Sequence, residues 1–106
     1  LGKRHDIKKY FVSGNAFELT GTRRQTDFHV DSRAHIIDES FEIKLSNQKP
    51  QPVTIHAVER MNRAQNWEIT AESADYTKRD SATVDFPITV PAKGDATLAY
   101  TIHYSW

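Results

Sequence analysis

Cysteine is missing from this chain of 106 residues, which excludes disulfide cross-links, thiolate nucleophiles and Cys-bound zinc or iron–sulfur sites together. An excess of charge is missing too. Lys and Arg number 14, as do Asp and Glu, so no net field draws the chain to phosphate polyanions or acidic membranes. No apolar run approaches the roughly 18 residues of a membrane-spanning helix. No window repeats apolar residues at three- and four-residue spacing, so no long helix is expected. The chain opens at Leu1 without initiator Met or signal peptide, and a strand pattern runs to Trp106. The expectation is one domain over 1–106, the C-terminal module of a longer protein.

What is present is the two-residue period of β-strands. Phe41, Ile43 and Leu45 alternate with Glu42, Lys44 and Ser46, and Val53, Ile55 and Ala57 resume the alternation after the turn formers Asn47 to Pro52, which predicts an antiparallel hairpin. Val84, Phe86, Ile88 and Val90, then Leu98, Tyr100, Ile102, Tyr104 and Trp106, predict a second hairpin around Pro91 to Asp95. Between the hairpins Trp67, Ile69 and Ala71 form a short strand with loops near 61–66 and 73–81. Ile7 to Ser13, Phe17 with Leu19 before Gly21, and Phe28 with Val30 suggest strands in the first third. Carrying the phase of Phe41 backwards would bury Glu39, so the strand either starts at Ser40 or contains a bulge. Pro87 lacks a ladder donor, which points to an edge or a bulge. About seven short strands predict an all-β, immunoglobulin-like antiparallel β-sandwich, with a closed barrel as the alternative.

Four segments, GNAFELTGTRRQTDF, ESFEIKLSNQKPQPVTI, NWEI and VPAKGDATLAYTIHYSW, follow one another along nearly the whole chain. In them Gly14, Ala16 and Phe17 precede Arg24-Gln25-Thr26-Asp27, a Trp-Glu-Ile strand and a closing strand with Tyr100, Tyr104 and Trp106. The sequence resembles the bacterial domain of unknown function 4139 family, departing at Glu18, where Asp is common, and at Gln65-Asn66, where Gly or Asp is. The resemblance implies a β-rich C-terminal domain of an exported, periplasmic bacterial protein, with no activity or catalytic residue to carry over.

Candidate sites have bland competitors. His5, His29, His35, His56 and His103 show no metal-ligand spacing and read as solvated side chains, so no metal and no cofactor is expected. Ser, His and Asp occur without a nucleophile elbow. Asp38, Glu39 and Glu42 could mimic a carboxylate pair, yet Glu42 alternates outward from Phe41, as a solvated face does. Lys3, Arg4, Lys8, Lys9, Arg23 and Arg24, with Tyr10 and Phe11 between them, could contact nucleic acid, but Asp6, Glu18 and Asp27 dilute the field; protection of a sheet edge is the better reading. Trp67 and Trp106 share the phase of core residues, which leaves Tyr76 as the one weak candidate for a ligand-binding platform. The sequence thus leads to a non-enzymatic structural or protein-interaction module, whose partner is the parent chain or an envelope protein. The alternative is a carbohydrate-binding module of the cell envelope using loop aromatics.

Overall fold

The structure, a computed structural model, describes residues 5–7, 11–12 and 19–106, with side chains from 21 onward. The described residues form β1 (His5–Ile7), β2 (Phe11–Val12), β3 (Leu19–Asp31), β4 (Ile36–Asn47), β5 (Val53–Arg60), β6 (Asn66–Glu72), β7 (Thr77–Asp80), β8 (Thr83–Val90) and β9 (Asp95–Ser105), with no helix among them. All pairings are antiparallel. One sheet has the order β1-β3-β4-β9-β6 and the other β2-β5-β8-β7. Nine strands replace the seven expected, because β7 lies inside the expected loop 73–81 and the first third divides between the two sheets.

The alternation found in the sequence correctly marks the core. Phe41, Ile43, Leu45, Ile55, Ala57, Val84, Phe86, Ile88, Val90, Leu98, Tyr100, Ile102 and Tyr104 are all buried between the sheets. Both expected hairpins are wrong, however. β4 pairs with β3 and β9, while β5 pairs with β2 and β8, so the connections after β4 and after β8 each cross from one sheet to the other. A period of two says which side chains face inward and is silent on whether the next strand lies beside or across. The crossings are tied together by Asn47, which is fully buried. Its Nδ2 donates to the carbonyls of Gln51 at 2.9 Å and Pro91 at 3.1 Å, and its Oδ1 accepts from the Lys49 amide at 2.9 Å. The true hairpins are β3–β4 and β7–β8. In the first, Asp31 Oδ1 accepts from the amides of Arg33 and Ala34, and His35 takes a left-handed φ of 59°, a conformation that suits a tight turn.

Glu39 follows neither expected route. β4 is continuous through it, and the bulge lies in its partner β3, between Gln25 and Asp27. Glu39 therefore faces inward with Phe41 and is only 4% exposed. Pro87 is exposed in an interior strand, but β7 reaches only as far as Asp85 along β8, so one side of Pro87 is locally an edge where no donor is needed. Trp67 is half-buried at the margin of the core, and Trp106 lies past the end of β9 with 54% of its surface exposed. The inward phase expected of Trp67 thus holds in part, and that expected of Trp106 does not. β3, β4 and β9 have 13, 12 and 11 residues against eight in β5 and in β8. At the β3–β4 turn the longer sheet meets loop residues Met61, Arg63 and Ala64 in place of a strand.

Candidate functional site

Burying a carboxylate is costly unless donors meet it, and two inward-facing glutamates meet this condition differently. Glu59, 1% exposed on β5 of the smaller sheet, accepts from Arg23 Nε on β3 at 2.8 Å and from the Tyr100 hydroxyl on β9 at 2.7 Å, both in the larger sheet. The network crosses the core and joins the two layers. The Arg23 guanidinium lies 3.7 Å from the centroid of the Phe41 ring, a cation–π contact. Glu39 instead sits at the open end, where Arg63 grips it in two bonds of 2.9 and 3.0 Å and Gln25 Nε2 donates at 2.6 Å. The same guanidinium lies 4.9 Å from the centroid of Phe28. This bidentate clamp, on a loop residue, lies at the end of the sandwich that no strand covers among the described residues.

A cleft of about 810 Å³ runs along these groups, lined by Arg23, Gln25, Glu39 and Arg63 together with Met61 and Tyr104. Its one lining carboxylate, Glu39, is engaged by the Arg63 guanidinium and the Gln25 amide. Burial pushes the Tyr100 hydroxyl well above the ordinary tyrosine range, and the neighbouring Glu59 charge pushes it further. Burial raises Tyr104 likewise, with Glu39 adding to it. The Arg63 guanidinium is held more firmly protonated by its bond to Glu39. For Arg23, burial opposes the charge, but Glu59 and Tyr100 outweigh it. A tyrosine whose folded pKa is raised contributes stability that is fully present below its unfolded value near 10 and is lost as pH rises beyond it. Chemical denaturation between about pH 9 and 12 is therefore expected to show wild-type stability falling above pH 10, and Tyr100→Phe to show a shallower fall from a lower starting value. Parallel curves for the two proteins would assign the alkaline loss elsewhere.

The acidic group does not converge. Asp38 accepts from His103 Nδ1 at 2.7 Å and Glu42 from Arg24 Nη2 at 2.9 Å, on the sheet face opposite the one into which Glu39 points. The histidines are scattered: His29 and His35 are exposed, His56 contacts Asp85 at 3.1 Å, and the side chain of His5 lies outside the described residues. No group of three or more His, Cys, Asp or Glu placed to hold a metal ion occurs among the described residues. Arg23 and Arg24 do not guard an edge, because β3 is flanked by β1 and β4; both are salt-bridged. The side chains of Lys3, Arg4, Lys8, Lys9, Tyr10 and Phe11 lie outside the described residues. Tyr76 is 36% exposed and leans on Phe86, ring centroids 5.6 Å apart, where it covers the rim of the core.

Two sheet edges are described through their side chains. β7 is four residues long, carries Lys78 and Arg79 and is exposed throughout, a short charged edge of the kind that resists strand addition. β6 runs seven residues and pairs with β9 alone among the described strands. Its pairing shifts register between Ile69 and Ala71, so Asn66–Ile69 is its regular part. The sequence marked β6 as a strand and gave no sign that it is an edge, since edge position depends on which strands come to lie beside β9. Compared with protein-family models, curated proteins and solved structures, the chain matches none.

Proposed function

We propose that this domain is a non-enzymatic module that makes protein contacts by accepting an extended segment along the outer edge of β6. The supporting observation is the contrast between the edges: β7 is short and carries two cations, whereas β6 offers a longer ladder with neither Lys nor Pro in Asn66–Glu72. Unpaired ladder groups on such an edge bind a peptide through main-chain hydrogen bonds. The buried networks of Glu59 and Glu39 support this by making the rest of the sandwich a stiff base. In the same reading the two sheets form an immunoglobulin-like sandwich, although its last two strands, β8 and β9, lie in opposite sheets, where the immunoglobulin pattern pairs them. Membership of the domain of unknown function 4139 family, and a parent that is an exported bacterial protein, rest on the quoted motifs.

Extended peptides selected from a displayed library against the domain test the edge. The expected result is that they shift the amide resonances of residues 66–72 and bind about tenfold or more weakly to Ile69→Pro. Trp106 N–H donates to the His35 carbonyl and Ser73 N–H to that of Ala99, so Ser105, His103 and Thr101 of β9 face β6 and bond its Asn66, Glu68 and Ala71; the Ile69 amide between them points outward, and proline there removes an edge donor without removing a bond to β9. Selected peptides that shift other amides and tolerate the proline would overturn the reading.

A further inference from the structure

Both tryptophans of the chain lie on adjoining hollows around the start of β6. One hollow, of about 540 Å³, has Trp106 beside Ile37, Ala64 and Arg63; the other, of about 450 Å³, has Trp67 beside Glu68, Lys78 and His103. Gln65, Asn66 and Ser105 line both, so the two adjoin at these residues and are taken together as one groove. We propose that this groove binds a neutral oligosaccharide.

A pyranose ring has an apolar C–H face and a rim of hydroxyls that donate and accept. An exposed indole matches the face, and side chains that also donate and accept match the rim. Trp106 supplies the first: more than half its surface is open, while its backbone amide donates to the His35 carbonyl at 3.0 Å and its ring rests against His35, centroids 5.6 Å apart. Anchoring of this kind reduces the side-chain freedom lost on binding. Gln65, Asn66 and Ser105 supply the second in the stretch that both hollows share. Trp67 is fixed by its Nε1–H donating to the Ser81 carbonyl at 2.8 Å, with Lys78 Nζ 4.7 Å from its ring centroid. Each hollow falls within the roughly 300–1,000 Å³ of small-ligand sites. Charge favours a neutral ligand: Arg63 is committed to Glu39, and the other hollow is lined by one cation, Lys78, and one carboxylate, Glu68. An apolar protein partner fits less well, because polar side chains form the shared centre of the groove.

The groove shares Asn66 to Glu68 with the edge proposed for strand addition, and two variants tell the readings apart: Trp106→Ala leaves the backbone of the outer edge intact, and Ile69→Pro leaves both indole side chains present. Because the only tryptophans line the groove, intrinsic fluorescence reports on it directly. Titration with cellohexaose, chitohexaose, laminarihexaose and maltohexaose to millimolar concentration is expected to give a saturable change in emission with at least one of them. Isothermal calorimetry with that sugar is expected to show affinity falling about tenfold or more in Trp106→Ala, at an unchanged melting temperature. Silence with all four sugars, or undiminished binding by Trp106→Ala, overturns the proposal. So does an emission change that follows protein concentration without sugar, which would assign the indole to self-association.

Discussion

Phe86→Ala is expected to lower the unfolding free energy by about 3–5 kcal/mol, the cost of emptying a well-packed aromatic site. Phe86 is fully buried on β8, stacks on Tyr100 of the opposite sheet with centroids 5.1 Å apart and 30° between planes, and is covered at its rim by Tyr76. Its removal opens a cavity between two sheets whose strands are held in register by their own ladders, so the walls cannot close on it. Against the roughly 5–15 kcal/mol available to a domain, this loss approaches unfolding. Guanidinium denaturation measures it as a lower midpoint at unchanged slope. Val30→Ala, at an exposed position on β3, is the control and should stay within about 0.5 kcal/mol. A Phe86→Ala loss below about 1 kcal/mol would mean that the two sheets do not meet at this ring.

Arg23→Met should cost about 3 kcal/mol, the lower end of the range for breaking a buried ion pair, since the Arg23 side chain keeps 21% of its surface in water. The loss arises on the partner: Glu59, 1% exposed, loses its guanidinium donor. Replacing the three described members by apolar groups, Arg23→Met with Glu59→Leu and Tyr100→Phe, should recover most of the stability, because the desolvated Glu59 charge is then gone. Equilibrium unfolding of the single and triple variants separates the two effects. A triple variant no more stable than Arg23→Met would show that the network contributes more than it costs to bury, and that its role is energetic as well as one of fixing how the sheets align.

How far the sequence led depends on the kind of question asked of it. Phe41, Ile43 and Leu45, like Val84 to Val90 and Leu98 to Tyr104, were legible as core because alternation is a property of one strand and needs no knowledge of neighbours. Glu39 stood in the same phase, and the sequence alone offered only ways to keep it out; its place inside depends on Arg63, 24 residues on in a loop, and on Gln25 from another strand. The groove was equally hidden. Trp106 carries the phase of Tyr104, but a strand's phase does not say where the opposite sheet stops, and β5 and β8 stop short of it.

The sequence by itself therefore determined an all-β chain, the inward face of each main strand and the turn-forming stretches between them. Those features follow from local stereochemistry and from the period of two. The tertiary structure decided that the stretches after β4 and β8 cross between sheets, that Asn47 joins the two crossings, that β6 ends its sheet among the described strands, and that Glu59 links the layers through Arg23 and Tyr100. Each of these depends on which strands, distant in sequence, come to lie side by side or face to face, and that choice is made by burial and hydrogen-bond satisfaction summed over the whole chain.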